Sequence, residues 1–258
     1  MLVQRDRKRL GQVSERLYRA SRRVRILGHL AWPASVRHRF FRSGSERLPE
    51  VEYPPFDAKQ IKGELRQARD QLGDLPLDKW LKKKSRDIEA SVSLIGSCGT
   101  PEFFRHSSEI YGTPTTMLRD GRTTPMDLAR RFSLIMDAQP DSPNNRPGSD
   151  PVPVSEIRDR IEKKVNSVFG SESPRVVVVD GISAKATASS KRIRLRKGAA
   201  FTHRDVDQLI NHEALVHVAT TLNGRDQDQM RILGGNYGSV TKTQEGLAVF
   251  SEFITGCI

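Results

Sequence analysis

Residues 211–217 read Asn-His-Glu-Ala-Leu-Val-His, and residues 244–248 read Gln-Glu-Gly-Leu-Ala. These two stretches bring two histidines, His212 and His217, and two glutamates, Glu213 and Glu245, into one part of the chain. Imidazole nitrogens and carboxylate oxygens are common ligands of catalytic zinc, and a carboxylate beside the metal can serve as a general base. The residue set therefore indicates a zinc hydrolase site.

The spacing of the histidines departs from the familiar His-Glu-x-x-His pattern, because three residues separate Glu213 from His217. Side chains four apart on an α-helix differ by about 40° around the axis, whereas side chains five apart differ by about 140°. A regular helix would therefore splay His212 and His217. Two interpretations stay open: the pair is incidental, or the helix brings the two side chains together. The second requires either a distorted helix end or a local widening toward π geometry, which occurs preferentially at functional sites.

Glu245 favours the metal interpretation, because the residues that follow it are mostly apolar, with Leu-Ala-Val-Phe at 247–250. A carboxylate in apolar surroundings is costly to bury without a partner, and a zinc ion would supply one. The alternative is helix capping, since an acid near a helix N-terminus is favoured there in any case.

The segment before the motif has the pattern of strands. Arg175–Val179 is a β-branched run typical of a central buried strand, and 191–197 alternates apolar and basic residues like a half-buried strand at a sheet edge. Thr202 and Asp205 form a capping box that begins the motif helix. The predicted edge strand either pairs with the backbone of an extended substrate or is an ordinary basic edge protected from aggregation.

The chain is predicted to divide into four segments, with an α+β fold overall. Residues 1–47 form a basic N-terminal extension, and 48–138 form a helical region with apolar residues spaced three and four apart. Residues 139–153 hold five prolines and almost nothing apolar, so they form a linker or loop. Residues 154–258 carry a small mixed sheet and the motif helix.

The first 47 residues hold thirteen basic and three acidic side chains, which accounts for most of the net charge of +12. Such an arm can bind nucleic acid or another anionic surface, and its basic composition also resembles that of an organelle transit peptide. A base-stacking surface has aromatic residues interleaved with the basic ones, and this arm lacks that pattern. We therefore favour a solvated, partly helical extension.

The hydrophobic content of 36% is enough for a buried core, and no apolar run approaches the roughly 20 residues that cross a bilayer. The start of the sequence also lacks the basic-then-apolar pattern of a secretory signal, so we predict a soluble, cytoplasmic protein. Cys98 and Cys257 lie far apart, which excludes a disulfide framework and a Cys-x-x-Cys site.

The two motifs together resemble those of a known family. Residues 211–224 and 243–253 are similar to the bacterial "flavohemoglobin expression-modulating QEGLA motif" proteins, whose eukaryotic relatives are the microtubule-associated tyrosine carboxypeptidases. Residues 96–114 and 184–204 also resemble family segments, so the likeness covers most of the chain after residue 28. It implies a zincin-like metallopeptidase core that contains the zinc-binding motif helix.

The resemblance also implies roles for the motif residues. His212, His217 and Glu245 would be the ligands of one Zn²⁺ per chain, and a water molecule would take the open fourth position. Glu213 would be the general base that activates this zinc-bound water. The implied function is a zinc-dependent carboxypeptidase that removes C-terminal residues, tyrosine being one candidate, from peptides or proteins.

A carboxypeptidase also needs a cation that holds the free carboxylate of its substrate. The sequence offers four candidates without distinguishing among them: Arg231, Lys242, Arg194 and Arg196. Tyr237 is a candidate donor to the developing oxyanion, or simply an aromatic residue in a glycine-rich loop.

Family members continue beyond the second motif, whereas this sequence stops at Ile258. We therefore expect a C-terminally truncated member whose last helix exposes apolar residues. A second function class stays open, namely a non-catalytic regulatory or binding protein, or an inactive truncated family member. The ligand set favours the enzyme, while the basic arm and the expression-linked family name favour the alternative.

Overall fold

A computed structural model describes residues 3–138, 152–182, 184–235 and 237–258. Seven helices precede the predicted linker: α1 (Gln4–Arg23), α2 (Ile26–Leu30), α3 (Ala34–Arg42), α4 (Ala58–Asp70), α5 (Pro76–Gly96), α6 (Glu102–Tyr111) and α7 (Pro125–Ala138). The elements after it are α8 (Val154–Phe169), β1 (Arg175–Val179), β2 (Ala186–Ser189), β3 (Arg192–Arg196), α9 (His203–Leu209), a π-helix (Ile210–Val218), α10 (Ala219–Arg225) and α11 (Gly238–Ile254). The predicted linker, 139–153, lies outside the described residues except for its last two. The mostly helical chain with its small mixed sheet agrees with the predicted α+β class.

One apolar core holds the N-terminal helices together. Leu10, Val13, Leu17 and Ala20, spaced three and four apart on α1, are at most 2% exposed. They pack against buried apolar residues of α4 and α5: Ile61, Leu65, Ala68, Leu81, Ile88 and Val92. A short 3₁₀ segment, Arg231–Gly234, closes this core from the C-terminal half through Ile232. The 3₁₀ segment therefore ties the C-terminal part of the chain to the core of the N-terminal helices.

The N-terminal segment differs from the predicted solvated extension in its first helix. α1 is amphipathic, so it turns basic side chains to solvent while its apolar side is buried. Arg9 on this helix donates to both carboxylate oxygens of Asp78 at the start of α5, at 2.5 and 3.1 Å. Arg23 pairs with Glu64 of α4 at 2.7 Å. α1 is thus an integral part of the helical core.

The sheet has the strand order β1-β3-β2, with β3 parallel to β1 and antiparallel to β2. Ile193 and Leu195 on β3 are fully buried while Arg192 and Arg194 are exposed, which confirms the predicted alternation. The predicted strand positions are wrong, because β3 is central and β1 lies at an edge. The physical reason is β2, which folds back on β3 as a hairpin and covers the edge that the sequence interpretation left open.

A second apolar core lies between the sheet, α8 and the motif helix. α8 contributes Ile157, Ile161 and Val165, and the sheet contributes Ile193 and Leu195. The motif helix consists of α9 and the π-helix that continues it, and it faces them with its own apolar residues: Val206, Ile210, Ala214 and Val218. This packing fixes one side of the motif helix, while His212 and His217 contact α11. No helix in the described part of the chain is both long and apolar enough to span a bilayer.

α10 approaches the 3₁₀ segment so closely that only glycine fits at position 224. A Cβ there would lie 2.4 Å from the carbonyl oxygen of Leu233, far inside van der Waals contact. We expect Gly224→Ala to lower the free energy of unfolding by about 1–3 kcal/mol, because backbone must move to admit the methyl group. Urea denaturation measures this loss.

Gly63 in α4 is the matched control, because a Cβ there would meet no atom within 4 Å. Gly63→Ala is expected to raise the free energy of unfolding by about 0.5–1 kcal/mol through helix propensity alone. Equal effects of the two substitutions would contradict the close contact at Gly224.

Candidate metal centre

The motif lies on a π-helix, Ile210–Val218, which confirms the predicted local widening. Hydrogen bonds in a π-helix join residues five apart, so side chains at that spacing stack on the same side. His212 and His217 accordingly face the same way, with ring centroids 4.9 Å apart. The predicted capping box also forms at the start of α9, where the Asp205 carboxylate accepts the backbone N–H of Thr202 at 2.6 Å.

α11 packs along the π-helix and brings Glu245 to the two histidines. One carboxylate oxygen of Glu245 lies 3.4 Å from His212 Nε2, and the other lies 3.6 Å from His217 Nε2. One donor atom from each of the three residues can be chosen such that all lie within 4.8 Å of one another. Zn–N and Zn–O bonds of about 2.0–2.2 Å in a tetrahedron put neighbouring donors about 3.3 Å apart. Donor types and spacing therefore fit a zinc ion.

The remaining nitrogen of each histidine is already hydrogen-bonded. His212 Nδ1 lies 2.5 Å from Glu252 Oε1, and His217 Nδ1 lies 3.0 Å from Gln244 Oε1. Because carboxylate and amide oxygens only accept, both Nδ1 atoms carry the proton and donate it. The Nε2 lone pairs are then free and point toward Glu245.

Glu213 lies next to His212 on the same π-helix and is half-buried. Burial raises the pKa of Glu213 above its usual range, while His217, His212 and the backbone N–H of Ala188 in β2 lower this pKa. Glu245, being a like charge, raises the pKa further. A carboxylate beside two imidazoles and the candidate metal ligands can act as a general base. The contact with Ala188 also places β2, rather than β3, beside the motif.

The structure separates the predicted substrate-binding residues from one another. Lys242 is exposed on α11 three residues before Glu245, so the two side chains share a helix face. Arg194 is exposed on the central strand, and Arg196 is half-buried at its end. Among the predicted cations, Lys242 is therefore the one placed by its own helix next to a candidate metal ligand.

Arg231 and Tyr237 lie elsewhere. Arg231 donates to the carbonyl of Arg225 at 3.2 Å and borders a groove along α1. The described lining of that groove is rich in basic residues and contains no metal-centre residue: Gln4, Arg7, Lys8, Gly11, Gln12, Glu15, Arg16, Arg19, Asp228, Gln229 and Arg231. Tyr237 is only 6% exposed in the helical core, with Lys84 Nζ 5.2 Å from its ring centre. An anionic partner for the basic N-terminal segment stays a prediction.

Glu252 and the contact of Gln244 were not predicted from the sequence. Glu252 follows Glu245 by seven residues, which is two helical turns, so the two side chains lie on one face of α11. A charged residue at that spacing within the mostly apolar stretch 246–254 is the sequence signal that could have indicated it.

Comparisons with known proteins bear on the same region of the chain. A family model described as microtubule-associated tyrosine carboxypeptidase matches residues 38–258, a range that includes the sheet and both motifs. Comparison with curated proteins and with solved structures gave no match.

Proposed function

Because the chain belongs to the microtubule-associated tyrosine carboxypeptidase family, which implies a carboxypeptidase-type activity on peptides or proteins, we propose that it is a zinc-dependent carboxypeptidase. His212, His217 and Glu245 are the proposed ligands in a zincin-like core. The observation that carries this proposal is the convergence of both Nε2 atoms on the two Glu245 oxygens, at 3.4 and 3.6 Å. Three protein ligands leave one position open, as catalytic rather than structural zinc requires.

In this proposal Glu213 is the general base. Bound zinc supplies Lewis acidity and makes water easier to deprotonate. The Glu213 carboxylate takes the proton of the attacking water and passes it to the leaving amine as the peptide bond breaks. Glu213 is half-buried and directly follows His212, and it is not among the three residues whose donor atoms converge.

We propose that an extended substrate lies along the edge of β2 that faces away from β3, in place of the β3 edge that the sequence suggested, where the Ala188 N–H already contacts Glu213. Ala186 pairs with Leu195 and Ala188 with Ile193, while Arg196 N–H donates to the Lys185 carbonyl. Backbone groups alternate in direction along an antiparallel strand, so those of Ala186 and Ala188 point away from β3. An extended peptide on this edge would lie beside Glu213.

The family description names tyrosine, and we propose a C-terminal tyrosine as the residue removed. Its free carboxylate needs a cation near the ligands, and Lys242, on the same face of α11 as Glu245, is the proposed partner. Arg194 is the alternative from the sheet, and the resemblance to the QEGLA motif proteins supports the same site.

Replacing Glu245 tests the ligand set directly. Glu245→Ala is expected to weaken zinc binding by more than about 100-fold, because it removes a ligand rather than an outer contact. The measurement is zinc per chain after purification, with about one ion expected in the wild type.

Glu109→Ala, which removes an exposed glutamate of α6, is the control and should keep the wild-type zinc content. Equal zinc content in the wild type and in Glu245→Ala would contradict the ligand assignment.

A further inference from the structure

α11 contributes further side chains to the candidate metal centre besides Glu245. Two further side chains of this helix contact the two histidines at the nitrogen that faces away from Glu245. Gln244 reaches His217 and Glu252 reaches His212, so each imidazole lies between two side chains of α11. The same helix therefore supplies one proposed ligand and holds the other two.

Glu252 is the more deeply placed of these two side chains. It is 5% exposed and accepts two hydrogen bonds, from His212 Nδ1 at 2.5 Å and from Gln208 Nε2 at 3.1 Å. A buried carboxylate is costly unless it is hydrogen-bonded, and both of its oxygens are. Its short contact to His212 is the charge-assisted kind, which is stronger than a contact between neutral groups.

Gln244 makes the corresponding contact with a neutral group. Its amide oxygen accepts the Nδ1 proton of His217 at 3.0 Å, and the side chain is half-buried. A carboxylate partner increases the electron donation of an imidazole ligand more than an amide partner does, because only the carboxylate carries a full negative charge. The two proposed histidine ligands are therefore held in unequal ways.

We propose that Glu252 and Gln244 are positioning residues, which fix the Nδ1–H tautomer of His212 and His217 so that both Nε2 atoms point at one metal ion. Glu252 makes the larger contribution, because it is charged, buried and itself held by Gln208. This inference rests on the proposed zinc site, and it assigns to α11 the geometry of all three ligands.

The spacing along α11 supports a common role for these residues. Glu245 and Glu252 are two turns apart on one face, and Ala248, fully buried between them, lets the helix pack closely on the π-helix. Ligand and outer partner are therefore fixed to one rigid element. A shift of α11 would disturb all three donors together.

Zinc affinity, measured by competition with a chromophoric chelator, tests the inference without relying on activity. Glu252→Ala is expected to weaken zinc binding by about 10–100-fold. Glu252→Gln, which keeps an acceptor oxygen and loses the charge, is expected to recover part of that loss. Gln244→Ala should have a smaller effect than Glu252→Ala, and the visible spectrum of bound Co²⁺ should change in both alanine variants.

Glu89→Gln is the matched control for loss of a partly buried carboxylate. Glu89 pairs with Arg69 in the helical region at 2.6 Å, so its replacement should lower stability and leave zinc affinity unchanged. If Glu252→Ala does not fold, Glu252→Gln decides alone, with a several-fold weaker affinity expected. Wild-type affinity and a wild-type Co²⁺ spectrum in the folded Glu252 variants would overturn the inference.

Failure of the proposed function would look different. In that case the wild type itself would bind no zinc, or His212→Ala would bind it as tightly as the wild type, and the positioning role would be overturned along with the site. Wild-type binding that depends on His212 but not on Glu252 would overturn the positioning role alone.

Discussion

Glu213→Gln is expected to lower the rate of peptide hydrolysis by about 10²–10⁴-fold while zinc content stays at the wild-type level. Glutamine has nearly the same shape as glutamate and cannot accept the proton of the attacking water. The residue lies among the proposed ligands without being one, so metal binding should survive its replacement. Release of tyrosine from a peptide with a C-terminal tyrosine measures the rate.

The same variant separates the two function classes. A regulatory or binding role would persist in Glu213→Gln, whereas a carboxypeptidase would lose its activity. Glu156→Gln, at an exposed position of α8, is the control and should retain the wild-type rate. Undiminished hydrolysis in Glu213→Gln would exclude this residue as the base, and loss of zinc from the variant would assign it to the ligand shell.

Asp78→Ala is expected to lower the free energy of unfolding by about 3–5 kcal/mol, the effect of breaking a buried ion pair on one side. The Asp78 side chain is fully buried, accepts two hydrogen bonds from Arg9 and also accepts the backbone N–H of Leu75 at 3.1 Å. Its removal leaves the Arg9 guanidinium without its main partner and uncaps α5. Urea denaturation at neutral pH measures the loss.

Acidification should reproduce part of this effect in the wild type. The Arg9 guanidinium, helped by the Leu75 N–H, holds the pKa of the Asp78 carboxyl below its ordinary value of 3.8. A lowered folded-state pKa means that the contribution to stability is present above that ordinary value and is lost as the pH falls through the folded-state value. The difference in stability between wild type and Asp78→Ala should therefore shrink at low pH.

Asp74 provides the control, because its side chain is 96% exposed and its ion pair with Lys82 is a loose one, at 3.8 Å. Asp74→Ala should change the free energy of unfolding by no more than about 0.5 kcal/mol. A comparable loss in both variants would mean that the buried position of Asp78 does not determine its contribution.

The sequence predicted those parts of the fold that depend on local signals. The capping box of Thr202 and Asp205 forms as predicted, because it depends on two residues only three positions apart. The π-helix followed from a single geometric conflict, the five-residue spacing of His212 and His217. Helix ends, capping boxes and helix periodicity all depend on residues that lie within a few positions of one another in the sequence.

Strand order was not predictable in the same way. β2 reads Ala-Thr-Ala-Ser, which lacks the β-branched and aromatic run typical of strands, so its presence and its pairing with β3 went unnoticed. Pairing depends on residues far apart in sequence. α1 is a different case, because Leu10, Val13 and Leu17 carry a clear helical period that the basic residues around them obscured.

The metal-centre residues were identified from residue types, whereas their partners required the packing of two helices. Glu252 reaches His212 across 40 positions of sequence, a contact that no local pattern encodes. Tyr237 shows the converse: its glycine-rich neighbourhood suggested an oxyanion donor or a loop aromatic, and its ring lies in the helical core. The domain boundaries, including 139–153, stay a prediction.

The π-helix also determines the direction in which the side chains of α10 face. Deleting one residue between Glu213 and His217 would create the commoner His-Glu-x-x-His spacing, yet it would turn α10 by about 100° about its axis. Gly224 would then no longer face the Leu233 carbonyl, and a bulkier side chain would meet that backbone. The histidine spacing and the close contact between α10 and the 3₁₀ segment can therefore change only together.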